Sequence, residues 1–212
     1  MAWSERVLTM SDTIPFGAAT EFGLRILTAV SLLVSVMLWL RNARNYRAIA
    51  RAIGPNGPAI PETLIAKWYG AVELTQFIEA AERAMTDNEV LALKRYRTPT
   101  LLWNDIGFAA SFAAFLIFGN LAIAPPMALW SAYGSGLAIF CAAMGAVYGA
   151  ADIGEDLTLE RIFAAGRPVD RKMAFGASLL THIKFAALFL AFAAVVGLFA
   201  TGAYQLARSL LF

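Results

Sequence analysis

Residues 145–160 read GAVYGAADIGEDLTLE. An apolar, small-residue run passes directly into four carboxylates, Asp152, Glu155, Asp156 and Glu160. At about 100° per residue, Gly145, Gly149, Asp152 and Asp156 share one stripe of a helix. Ala138, Cys141 and Ala142 extend that stripe backwards. Small side chains on one face let a second helix approach closely, because packing rather than water exclusion joins helices in lipid. Asp152 continues the packed stripe, so it is expected to face protein. A carboxylate near hydrocarbon costs several kcal/mol unless it is paired, hydrated or protonated. The stretch therefore reads as a helix leaving a membrane, with a charged group that needs a partner.

Composition agrees. The 212 residues are 59% hydrophobic with a mean hydropathy of +0.63, above the range of ordinary soluble domains. The net charge of +2 decides nothing by itself. The single Cys141 lies in an apolar run, which excludes a disulfide framework or a cysteine zinc site within one chain. Arginine outnumbers lysine 13 to 4 and alanine is abundant, as in a GC-rich bacterial genome. The first 22 residues carry Glu5, Arg6, Asp12 and Glu21 without a continuous apolar centre, so no cleavable signal is expected there. They form an outer-side segment with room for a short interfacial helix around Trp3 to Met10.

Residues 23–212 are expected to form one membrane domain. A first span over 23–40 ends at RNARNYRAIAR, where Arg41, Arg44, Arg47 and Arg51 mark a cytoplasmic flank. GPNGPAIP at 54–61 breaks the helix. From Pro61 to Met85, Leu64, Ile65, Trp68, Tyr69, Val72, Ile78 and Ala81 recur at helical spacing, which predicts an amphipathic helix. It is expected on the membrane surface or against the inner ends of the spans. Thr86-x-x-Glu89 matches a capping box for a further short helix. Lys94, Arg95 and Arg97 form a second basic cluster before Pro99.

A second span is expected over 100–123. Ala124-Pro125-Pro126 reads as a tight, uncharged outer turn. A third span over 127–149 is expected to continue as helix through the carboxylates to Ala165. Gly166-Arg167-Pro168 stops it, and Asp170 can cap the next helix. That helix is read as continuous from Arg171, with a fourth span over 186–207. Residues 41–99 carry nine Lys and Arg and residues 161–172 carry four, while the outer segments hold Arg6, Arg25 and Arg208. By the positive-inside bias both long connections lie inside and both termini outside. Trp39, Trp103 and Tyr148 suit one interfacial belt, and Trp130, Tyr133 and Tyr204 the other. The predicted class is an all-α integral membrane protein: a four-transmembrane-helix bundle with amphipathic cytoplasmic helices between spans 1 and 2.

This topology brings Asp105, Asp152, Glu155, Asp156, His182 and Lys184 to one depth. Lys184 is expected to pair with Asp152 or Asp105. It shares a stripe with Ala177, Thr181, Ala191 and Val195, an inward face. His182, about 200° away, shares a face with Phe175, Leu179 and Phe189, which reads as a packed or lipid-facing side. The bland expectation is an interhelical latch beside solvated carboxylates; the sharper one is a proton or ion site.

Other chemistry finds little footing. Asp152-x-x-Glu155 with Asp105 offers three oxygens, but the carboxylate-bundle metal pattern needs Glu-x-x-His and one histidine is available. His182 could ligate a haem only with a second ligand found elsewhere. No phosphate loop and no Gly-x-Ser-x-Gly elbow is present. No metal, cofactor or catalytic residue is assigned, and no nucleic acid is expected as a partner.

The function class expected first is a non-catalytic accessory or assembly subunit of a bacterial inner membrane. It would bind other membrane proteins, or itself, through Ala138, Ala142, Gly145 and Gly149. The basic residues Arg41, Arg44, Arg47, Arg51, Lys94, Arg95 and Arg97 would meet the bilayer surface. The alternatives are a small proton- or ion-coupled transporter using Asp105, Asp152 and Lys184, and a membrane enzyme acting at the inner interface.

Overall fold

The computed structural model describes residues 18–61, 68–130 and 134–211. Among these it is all-helical, and four helices are long and apolar enough to cross a membrane. The order is α1 (Ala18–Ile53), α2 (Ala71–Arg83), α3 (Ala92–Arg95), a π-helical stretch (Tyr96–Asp105), α4 (Ile106–Trp130), α5 (Gly134–Ala165) and α6 (Arg171–Leu211). The expected helix over Trp3 to Met10 lies outside the described residues. So do the side chains of Trp130, Tyr133, Tyr204 and Arg208.

The long helices pack in sequence, α1 on α4, α4 on α5 and α5 on α6. The centre of this row is built on glycine. A Cβ on Gly145 would lie 2.7 Å from Leu116 Cβ, and one on Gly149 would lie 2.5 Å from Ala113 Cβ. Both glycines therefore let α4 sit against the α5 backbone. On the far side of α4, Ser35 of α1 donates to Ser111 at 3.0 Å. Elsewhere α1 exposes an apolar surface that includes Leu33, Met37 and Trp39.

At one end of the row a second core forms beneath the apolar zone. Leu74, Phe77, Ile78 and Ala81 of α2 repeat at i, i+3, i+4 and i+7, and all are buried. They meet Ile49 of α1, Tyr96 and Leu101 of the π stretch, Leu159, Ile162 and Phe163 of α5, and Ala174 and Ala177 of α6. Phe77, Tyr96 and Phe163 form a triangle of ring contacts at 5.0–5.8 Å. The amphipathic helix thus covers the ends of the long helices. Arg167, in the α5–α6 turn, clamps it from outside by binding Glu79 at 3.0 Å and Glu82 at 2.9 Å.

Several local expectations are corrected. The amphipathic helix starts at Ala71, ten residues after Pro61, because Trp68, Tyr69 and Gly70 are not helical. Gly70 N–H instead donates to Glu73 Oε2 at 2.8 Å, which caps the helix. Residues 62–67 lie outside the described set. Thr86 and Glu89 form no capping box. Glu89 has φ 57°, its N–H donates to the Thr86 carbonyl, and Thr86 N–H and hydroxyl both donate to the Val90 carbonyl at 2.9 Å. The stretch is a tight reversal, closed by a bridge between Met85 and Leu91.

Three of the prolines lie inside helices. Pro99 does not separate two helices; the chain is helical from Ala92 to Trp130. In α-geometry Pro99 would leave the Arg95 carbonyl without its N–H donor. The local widening to π-geometry and the Thr100 hydroxyl, which donates to Arg95 O at 3.0 Å, resolve this. Pro125 and Pro126 likewise lie within α4, which continues to Trp130 rather than turning at Ala124. Prolines are tolerated in such helices where local adjustments satisfy the freed carbonyls. Gly54 (φ 94°) and Gly166 (φ 75°) end α1 and α5 in the left-handed region that favours glycine. Asp170 caps α6, accepting from Lys172 N–H at 2.6 Å.

Candidate functional site

The boundary between the apolar zone and the lower core holds a cluster of buried polar side chains. Its centre is Lys184 of α6, which is 8% exposed. Its Nζ lies 2.5 Å from Asp152 Oδ1 and 2.6 Å from Glu155 Oε2, both on α5. Residues three apart on a helix project from adjacent turns of one face, so a single ammonium can bridge both. The expected Asp152–Lys184 pair is present; Glu155 is an additional partner that the sequence reading did not assign. Asp105 is not a direct partner of Lys184, because α1 captures it. Its two carboxylate oxygens accept from the Asn42 amide and the Tyr46 hydroxyl. Asp105 nevertheless lies within coulombic reach of Asp152, Glu155 and Lys184.

The expected small-residue stripe divides between two neighbours. Gly145 and Gly149 face α4, whereas Asp152 and Glu155 face α6 and Cys141 Sγ contacts the Ala191 carbonyl of α6 at 3.5 Å. Ala138 and Ala142 are buried along the same helix. Tyr148, expected at an interface belt, is buried; its hydroxyl donates to Asp152 Oδ2 at 2.9 Å and its ring meets Phe112 edge-on.

The carboxylates are not the solvated cap that their position at a helix exit suggested. Glu155 is 0% exposed and Asp156 2%. Tyr69 covers Glu155. Its backbone N–H donates to Ser178 Oγ at 3.3 Å, and its hydroxyl donates to Glu155 Oε1 at 2.8 Å. Thr181 donates to the same carboxylate oxygen at 2.5 Å. Tyr69 therefore closes the cluster from below, backed by the α2 core. Asp105, at the edge between α1 and α4, is partly exposed.

His182 stays apart, as expected from its face. Its ring stacks on Trp68 at 3.9 Å, and Nδ1 contacts the Ser178 carbonyl at 2.7 Å. Glu160 also separates from the cluster, pairing with Arg97 at 2.7 Å. Arg97 is thereby a partly buried structural cation rather than a surface one. Of the other basic residues, Arg51 pairs with Asp87 at 3.4 Å, and Arg41, Arg44, Arg47 and Lys94 are exposed. Among the described residues no three His, Cys, Asp or Glu side chains are grouped to hold a metal ion.

The sequence reading missed Asn42, Tyr46, Tyr69 and Ser178. A signal existed for the first two. Ser35, Asn42 and Ile49 recur every seven residues on one buried face of α1, with Tyr46 alongside. Tyr69 carried no such signal, since it reaches the site from a non-helical segment. Comparison with known proteins returns no match: no family model, curated protein or solved structure aligns with the chain.

Proposed function

We propose that the chain is a multi-pass protein of a bacterial inner membrane whose buried cluster holds and passes protons, as the core of a small proton- or cation-coupled transporter. The observation that carries this reading is the charge balance. Among the described residues, Asp152 and Glu155 share one ammonium, Lys184, and Asp105 lies within coulombic reach of all three. Lys184 neutralises one unit of charge. The remaining carboxylates cannot all stay ionised in a low-dielectric site without further positive charge, because each uncompensated buried ion costs several kcal/mol. Protons supply that charge within the donor set present. Asp105 is the carrier on geometry: it sits partly exposed at the edge of the cluster, and among the described residues it joins no ion pair, its oxygens accepting from Asn42 and Tyr46. From Asp105 the polar groups run through Asp152, Lys184 and Glu155 to Tyr69 at the covered end.

The accessory-subunit reading has less to stand on than its sequence motives suggested. Gly145 and Gly149 are occupied by α4, and the apolar face of α2 is occupied by the chain's own core. With the positive-inside bias, α2 and Tyr69 lie on the cytoplasmic side, and proton exchange there requires Tyr69 to move aside.

The test is proton flux into potassium-loaded proteoliposomes, driven by valinomycin and read by an entrapped pH dye. Wild-type protein should acidify the lumen faster than protein-free vesicles. Asp105→Asn and Asp152→Asn should abolish the difference. Equal rates for wild type and both variants would overturn the proposal.

A further inference from the structure

A groove lies at the level where α1 leaves its apolar run. It has a volume of about 400 Å³ and is lined by Arg41 and Asn45 of α1 and by Asn88, Lys94, Arg95 and Thr98 of the facing segment. Among the described residues, three cations from two elements line it and no carboxylate does. Arg41, Lys94 and Arg95 join no ion pair among the described residues. Like charges are thus held together without compensation. Arg95 is also positioned: the buried Asn45 side chain accepts from its Nη2 at 3.1 Å, leaving other guanidinium donors for a ligand. Asn88 and Thr98 add neutral hydrogen-bonding groups.

The surface above the groove is apolar. Met37 and Val34 precede Arg41 by four and seven residues on the same stripe of α1, and they are 62% and 40% exposed. A ligand that pairs an anionic phosphate with hydrocarbon fits both parts. We propose that this groove binds the phosphodiester headgroup of an anionic phospholipid of the cytoplasmic leaflet, with an acyl chain along Met37 and Val34. Arg41, Lys94 and Arg95 bind the phosphate oxygens, and the guanidinium forks supply directed donors. Basic pockets between helices at the cytoplasmic surface take such headgroups. The inference rests on the membrane placement proposed above and not on the proton site.

The experiment measures the thermal midpoint of the full-length protein in neutral detergent. Phosphatidylglycerol, phosphatidylcholine and inorganic phosphate are added separately. Phosphatidylglycerol should raise the midpoint by about 5 °C at saturation, while phosphatidylcholine and inorganic phosphate should leave it unchanged. Arg41→Gln with Lys94→Gln should remove most of the rise; both side chains are exposed and unpaired, so the fold should survive. Arg44→Gln with Arg47→Gln should retain it. An equal rise with inorganic phosphate would identify a phosphate site rather than a lipid site and overturn the proposal. An undiminished rise in the Arg41/Lys94 variant, or an equal loss in the Arg44/Arg47 variant, would overturn it as well. Retention of the protein in carbonate-washed membranes tests the membrane placement separately.

Discussion

Lys184 is the residue on which the buried cluster depends. It meets two carboxylates, so its loss leaves both uncompensated. Breaking a buried ion pair by removing one partner costs about 3–5 kcal/mol. Lys184→Met is therefore expected to lower unfolding stability by that amount in detergent, measured by thermal or denaturant melting. Adding Glu155→Gln to that variant should recover part of the loss, since one unpaired charge is removed with the same side-chain volume. Strict additivity of the two changes would contradict the pairing. Tyr69→Phe deletes a hydroxyl that donates to Glu155 while keeping the ring. A hydrogen bond to a charged group contributes roughly 1.5–3 kcal/mol, so a loss in that range is expected from the same melts. The Asp152–Lys184 pair was legible from helical spacing, because both residues continue stripes of small or polar side chains. The second bond to Glu155 was not. One ammonium spanning two turns depends on the rotation of α6 against α5, which no single helix encodes.

At the scale of elements, the close approach of α4 and α5 is the most sensitive contact. Gly149→Ala places a methyl group where Ala113 Cβ already sits, 2.5 Å away. Backbone must move, at a cost of about 1–3 kcal/mol. Gly136→Ala, with nothing within 4 Å of the added carbon, is the matched control and should be neutral. Equal melting of the two variants would contradict the packing described. The Arg167 clamp on α2 is different in kind. It joins partly exposed groups, 43% for Arg167, and exposed pairs contribute below about 1 kcal/mol. Arg167→Ala should therefore leave melting nearly unchanged, because the Phe77–Tyr96–Phe163 core holds α2 in place. Helix existence was legible in the long apolar runs, and so was the end of α5 at Gly166. The breaks were not. Pro99, Pro125 and Pro126 read as boundaries, whereas all three lie within helix; at Pro99 widened geometry and a threonine hydroxyl satisfy the freed carbonyl. The α2 boundary failed for the opposite reason: the apolar spacing of 64–69 continues a helical period, but Tyr69 is drawn into the site by Glu155, Ser178 and Thr181.

For the whole molecule, the four long helices and the lower core divide the chain into an apolar layer and a covered polar end. That four helices are long and apolar enough to cross a membrane was legible, because it follows from length and hydropathy. The covering of the carboxylates was not, because it depends on a segment more than 80 residues away in sequence folding back beneath them. That covering buries a site in which, among the described residues, two carboxylates share one ammonium. The central claim is that this site stores a proton at neutral pH, with Asp105 as its carrier. Infrared difference spectroscopy of the purified, membrane-reconstituted protein reads this directly, through the carbonyl stretch of a protonated carboxylic acid and its shift in heavy water. The account predicts that wild-type protein shows this band at neutral pH and that Asp105→Asn lacks it. Its absence from the wild type, with every carboxyl signal that of a carboxylate, would contradict the account.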